Sequence, residues 1–236
     1  MKIRGQRECR ECGTRWSYYE TGTIVCPDCD SLRSRGVDDR TEHTSAPVTL
    51  DLAPARSMVE SDGLSAALDD AVDRCREFIR RTGFIHAGEL EPLSETFLAA
   101  NELSYAAREA NRAMRIDDDE ELYLLTLLRG ADDDRRPDST AVPRSMRAAR
   151  GLAYAAAIDA YQRDLRTFLE THPDQTAQSV FSTIEEHVRR IEALDGEVDP
   201  KTAERLVVAT QETSEYIKTG AETQLVTAQD RLDEIV

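Results

Sequence analysis

Four cysteines within the first thirty residues constrain this chain more than anything that follows them. Cys9-Arg-Glu-Cys12 and Cys26-Pro-Asp-Cys29 are two Cys-x-x-Cys pairs with thirteen residues between them. Each pair can turn its two sulfurs inward from one tight turn, so four thiolates can converge on the tetrahedral geometry that Zn²⁺ accepts. Such a set closes the coordination sphere, which makes the expected zinc structural and leaves no open position for a catalytic water. Gly13 follows the first pair and can take the positive φ of a knuckle. Asp30 stands at the equivalent place after the second pair, and Asp enters the left-handed region more readily than most residues. A disulfide framework fits less well, because the spacing is that of metal ligands and no secretory signal precedes the pairs. A rubredoxin-like iron site uses similar knuckles but normally has a longer segment between them.

Between the pairs, Thr14 to Glu20, then Thr21-Gly22, then Thr23-Ile-Val reads as strand, turn and strand, rich in aromatic and β-branched residues. A hairpin this small does not bury Trp16, Tyr18 and Tyr19 together, so these rings are the candidate interaction surface, beside the alternative that Trp16 packs against the zinc knuckles or the helical body. Cys9-x-x-Cys12-Gly13 with Trp16 and Tyr18, followed by Cys26-Pro27-x-Cys29, resembles the zinc ribbons of the transcription-factor-B type. Its position at the N-terminus of an acidic, Arg-rich helical chain is similar to an uncharacterised family of small haloarchaeal proteins. The resemblance covers about the first 36 residues and implies zinc binding, with no activity to carry over.

Charge divides unevenly along the chain. The net charge is −16, with about +2 on residues 1–36 and −18 on the rest, and lysine occurs only at Lys2, Lys201 and Lys218. Scattered acids with arginine as the main cation suggest a cytoplasm at molar salt, where the Debye length is roughly 3 Å. Four thiolates around Zn²⁺ bring the ribbon back near neutrality, so nucleic acid would have to be held by stacking or base-edge contacts more than by phosphate charge. No apolar run approaches the length of a membrane span, and the reading is a cytoplasmic protein.

Residues 37–54 show neither helical nor strand period and read as a linker. Beyond it the period is helical. One stripe runs from Leu64 to Ile79 and stops near Thr82-Gly83; a second runs from Leu93 through Phe97, Leu103 and Ala110 to Met114. A third helix is expected from Asp118 to Arg129, with Asp117 to Glu121 as a favourable acidic start in place of a calcium loop, which would need a glycine. A fourth is expected from Val142 to Thr171, and a fifth through Val180 and Leu194. A sixth, opened by Asp199 and Pro200, has an apolar stripe to Ile235, with Gly220 as a point of fracture. Cys75 lies on an apolar face and reads as a reduced core residue.

The chain is therefore expected to be mainly α, with a small β zinc ribbon of rubredoxin-like knuckles over residues 1–36, a linker over 37–54, and a largely antiparallel helical bundle over 55–236. The metal ligands are Cys9, Cys12, Cys26 and Cys29. His43, His86, His172 and His187 show no metal spacing, and no phosphate loop or nucleophile turn is present. The expected role is a non-enzymatic protein-interaction module, with a link to transcription among its uses. Two rivals stand beside it: a helical enzyme with the ribbon as lid, and a nucleic-acid-binding ribbon. A continuous sixth helix, outrunning the body, would also pair two copies into a homodimer.

Overall fold

In a computed structural model, residues 1–113 and 115–235 are described. The first strands are Lys2–Arg4 (β1) and Gln6–Cys9 (β2). β2 is the centre of a three-stranded antiparallel sheet, flanked by Arg15–Ser17 (β3) and Ser34–Gly36 (β4). This register sets Glu8 opposite Arg15 on one side and Arg35 on the other. Its carboxylate binds the two guanidiniums at 2.7 and 2.6 Å. Arg35 first and Arg15 second hold Glu8 below the usual carboxylate range.

The expected hairpin between the cysteine pairs does not form. Tyr18–Thr21 makes a single helical turn (α1) that ends at Gly22, whose φ is 65°, and residues 23–25 are in no strand. Side chains take the ladder's place: Thr21 Oγ1 donates to the Ser17 carbonyl, Trp16 Nε1 donates to the Thr23 carbonyl, and Thr23 Oγ1 accepts from the Val25 amide. Thr hydroxyls offer the backbone local partners in this way, and here they outcompete β pairing. The third strand comes instead from β4, beyond the second cysteine pair.

The stretch read as a linker is an ordered strap. Arg40–Glu42 (β5) pairs antiparallel with β1, Arg4 opposite Arg40. The amides of Thr44 and Ser45 both donate to the Ile85 carbonyl. Leu50 and Leu52 enter the helical core. A three-residue strand paired to a distant partner leaves no period to read, which is why sequence showed only irregularity.

Nine helices are present among the described residues, α1 included. Ala53–Ser61 (α2) was not expected; it opens with Pro54 in its first turn. Leu64–Arg81 (α3) follows, then a hairpin of Ile85–His86 (β6) and Glu89–Leu90 (β7). Glu95–Arg112 (α4) is central, with residues 97–104 buried without interruption. Met114, placed in its stripe by sequence, lies outside the described residues. Asp118–Gly130 (α5) carries a full capping box between Asp117 and Glu120, so the acidic run serves as a helix start.

The next helix begins later than expected. Pro143 biases Val142 to extended backbone, and two 3-10 turns, Ser139–Ala141 and Arg144–Met146, precede Arg147–Thr171 (α6). Gln175–Ala193 (α7) is capped by Asp174, and Pro200–Thr219 (α8) by Asp199. Gly220, at φ 71°, then ends the expected sixth helix. Glu222–Asp233 (α9) turns back on α8, burying Leu225, Ala228 and Leu232, with Arg231 2.9 Å from Glu212. The long uncovered stripe that motivated a homodimer is therefore absent from the described part of this segment; Val236 lies outside it. Among the described residues no helix is long and apolar enough to cross a membrane.

Candidate metal centre

Two equivalent turns present the cysteines. The Cys9 amide donates to the Thr14 carbonyl at 2.9 Å and the Cys26 amide to the Ser31 carbonyl at 3.0 Å. Within each turn the chain closes back on its first cysteine, the Gly13 amide donating to the Cys9 carbonyl and the Asp30 amide to the Cys26 carbonyl. Gly13 has φ 81° and Asp30 φ 55°. The aspartate thus occupies the left-handed position that its partner turn gives to glycine. Thr14 Oγ1 donates to Asp28 Oδ2 and ties one turn to the other.

Cys9, Cys12, Cys26 and Cys29 bring their sulfurs within 4.8 Å of one another. Sγ of Cys9 is 3.6 Å from that of Cys29, and Cys12 is 3.6 Å from Cys26 and 3.4 Å from Cys29. A tetrahedron of thiolates at about 2.3 Å from a central ion has edges of about 3.8 Å, so the donor set fits a metal. All four are free cysteines, with no disulfide between them.

The protons of this cluster are in conflict. Hydrogen bonding to Thr14 brings Cys12 down to about 6. At Cys29 the Ser31 amide is the largest single influence and lowers the pKa, yet neighbouring Cys12, burial, Cys9 and Cys26 together push it up to about 12. Each thiolate formed opposes the next, and a divalent cation is what lets all four ionise.

The three rings named from sequence separate. Trp16 is only 7 % exposed and packs with Cys9 and Cys26 in a small core of its own, so it is not a contact surface. Tyr19 is half-buried; its ring covers Gly5, its hydroxyl meets Thr41 Oγ1, and it packs tilted against His43 with ring centroids 4.6 Å apart. Tyr18, also half-buried, lines an open groove of about 350 Å³ with Lys2, Arg4, Arg7, Ile24 and Arg40.

Sequence gave no notice of two further clusters. His43 and His86, 43 residues apart, lie 5.2 Å ring to ring where the strap meets the β6–β7 hairpin, and His43 Nδ1 accepts from the Ala87 amide. Deeper, Glu102 of α4 is fully buried and Arg150 of α6 is 1 % exposed. Arg150 binds Glu102 at 3.2 Å, Glu204 at 2.9 Å and the Pro137 carbonyl at 3.0 Å. Arg136 adds Glu95 at 2.5 Å and Glu204 at 2.7 Å. The hydroxyls of Tyr123 and Tyr154 both donate to Glu102. Burial pushes Glu102 up, against the pull of Arg150 and the two tyrosines. At Glu204 burial acts the same way but the Arg136 and Arg150 guanidiniums outweigh it, and its carboxyl is held low. A lone arginine inside the alanine run around 148–157 was the available signal.

Taken together, these features define a four-cysteine knuckle module strapped onto a mainly helical body pinned by a buried ion network. A family model described as Family of unknown function (DUF7117) matches residues 1–232, and the chain belongs to that family. Comparison with curated proteins and with solved structures gave no match.

Proposed function

We propose that the chain binds one structural Zn²⁺ and works as a non-enzymatic protein-interaction module, the ribbon forming the docking face and the helices its support. The observation that carries this reading is the closed donor set: four sulfurs converge with, among the described residues, no fifth His, Cys, Asp or Glu in the group. Held by four thiolates, zinc stabilises the fold and has no position for substrate. Four of the seven exposed large hydrophobics among the described residues lie within residues 1–37. Ile24 is 45 % exposed, and Met1, Leu32 and Val37 are also among the exposed large hydrophobics. The resemblance of the cysteine motif to transcription-factor-B ribbons makes transcription proteins one class of partner.

The rival reading, a helical enzyme with the ribbon as lid, needs a cavity lined by unsatisfied, convergent polar groups. The polar cluster around Arg150 is instead buried and largely mutually paired, with Arg150 Nε left without a partner among the described residues.

Metal analysis of the full chain, purified without chelator, should find one zinc per chain, lost in Cys12→Ser; iron, or no metal, would overturn the zinc. A photo-cross-linking residue placed at exposed position 32 should capture protein in the intact chain and not in Cys12→Ser. Capture that ignores the loss of metal would count against the module. Chelation should unfold the ribbon and leave far-UV helical signal largely intact.

A further inference from the structure

On a chain of net charge −16, the groove beside the metal centre is cationic. Its polar walls are Lys2, Arg4, Arg7 and Arg40, and no acidic side chain lines it. Among the described residues none of these four forms a salt bridge. Arg4 spends a hydrogen bond on the Asp38 carbonyl, and Arg7 donates twice to Ser34 Oγ, so neutral acceptors fix both guanidiniums in place and leave their charge uncompensated. Three neighbouring acids have partners of their own, although Asp38 Oδ1 has none among the described residues. Asp38 Oδ2 accepts the amides of Gly5 and Gln6, Glu8 is held by Arg15 and Arg35, and Glu42, opposite Lys2, binds the amino terminus.

The register adds a second, independent observation. Arg4 lies directly opposite Arg40 on one face of the β1–β5 pair. Like charges in that position destabilise a two-stranded sheet. Here they are kept where an acid would have been favourable. Beside them Tyr18 and the exposed Ile24 supply an apolar floor.

We propose that this groove receives an acidic peptide segment bearing an apolar side chain, contributed by a different protein. The proposal rests on the interaction-module reading and names its partner's chemistry. Acidic side chains meet the four cations, and the apolar residue covers Ile24 against the Tyr18 ring. A nucleic acid fits less well. It is a long polyanion, with one charge per about 1.7 Å of duplex, and would run from a short groove onto a body of about −18. A single half-buried tyrosine also offers no row of stacking platforms of the kind that holds unpaired strands.

The test uses the full zinc-loaded chain and three fluorescein-labelled probes: an Asp/Glu dodecapeptide with central Leu and Phe, its Asn/Gln counterpart, and dodecathymidylate. Arg40→Glu is the main variant, because it turns the Arg4–Arg40 repulsion into an opposite-charge pair and so does not unfold the module. Zinc content confirms that. The acidic peptide should bind at least about tenfold tighter than the other two probes, and Arg40→Glu and Ile24→Asp should each weaken it about tenfold or more.

Dodecathymidylate binding as tightly as the acidic peptide would overturn the assignment in favour of nucleic acid. Peptide binding unchanged in both variants would remove the groove. A peptide-free dimer that Arg40→Glu dissolves would give the groove to a second copy of the chain and overturn the proposal. Cross-links from position 32 that persist in Arg40→Glu but vanish in Cys12→Ser would sink the groove while leaving the interaction module standing.

Discussion

Glu102→Gln should destabilise the helical body by about 3 kcal/mol, and the reasoning runs through the groups that surround it. Removing one partner of a buried ion pair costs about 3–5 kcal/mol, because the other charge is left without compensation. Arg150 would keep Glu204 at 2.9 Å and the Pro137 carbonyl at 3.0 Å, which places the expected loss at the lower end. Gln matches Glu in shape and still presents an acceptor to Tyr123 or Tyr154, so cavity formation adds little. For a chain of this size the loss corresponds to a fall in Tm of about 6–12 °C, at about 2–4 °C per kcal/mol. Urea unfolding followed by circular dichroism reads the same change without adding salt.

Arg150→Gln should cost a similar amount, and the double variant no more than either single, giving a coupling of about 2–3 kcal/mol. Two outcomes would refute the argument: a Glu102→Gln loss under about 1 kcal/mol, or strict additivity in the double variant. Either would mean that apolar packing around α4 holds α6 and α8 in place and that the ions merely fill a space.

Gly151→Ala should destabilise by about 1–3 kcal/mol despite the better helix propensity of alanine, since its Cβ would lie 2.3 Å from the Gly196 carbonyl oxygen; thermal unfolding measures it, and a gain in stability would show that this helix and loop can separate freely. Asp30→Gly should strengthen the second knuckle by the order of 1 kcal/mol by relieving φ 55°, seen as slower metal loss to a competing chelator. Burial first, then the charge of His86, hold His43 below its ordinary 6.5. The unfolded chain therefore takes up that proton more readily; the stability is full above pH 6.5 and falls as the pH drops below it. In His43→Asn the urea midpoint should depend less on pH over about 5 to 6.5, and an unchanged pH profile would dissociate His43 from acid sensitivity.

The features of this chain that sequence made plain are those set by local chemistry. Cys-x-x-Cys spacing, the Asp199-Pro200 start and the acidic helix start at Asp117 each act over a few residues, and each appears where the pattern placed it. What escaped depends on partners far along the chain. β5 was invisible because its three residues pair with β1 almost forty positions earlier, and β4 displaced the expected second hairpin strand because Thr21 and Thr23 satisfied the backbone locally. Glu102 looked like a solvated residue on an amphipathic helix. It is buried because residues 97–104 of α4 are covered on every side, and its charge is offset by Arg150, 48 positions away, and by the hydroxyls of Tyr123 and Tyr154.

Metal centre and groove are joined by one strand. Arg7 and Cys9 lie two positions apart on β2, hence on the same side of the pleat, and Arg7 is paired across to Gly36, which lines the groove. The other three cations sit on β1 and β5, which the strap anchors to the helical body: Thr44 Oγ1 donates to Asp164 Oδ2 of α6, and the Phe84 amide donates to the same oxygen. A docking surface gains affinity when its side chains are ordered before the partner arrives, since each rotamer-rich chain frozen on binding costs about 0.5–1.5 kcal/mol. In the proposed module the ordering would come from two sources, a metal held by the cysteines acting through β2 and the helical body acting through the strap. Loss of the metal should therefore unfold the ribbon that carries Lys2, Arg4 and Arg7 while the strap keeps Arg40 on the body, so that metal-free chain loses its affinity for acidic peptide although the helices stay folded.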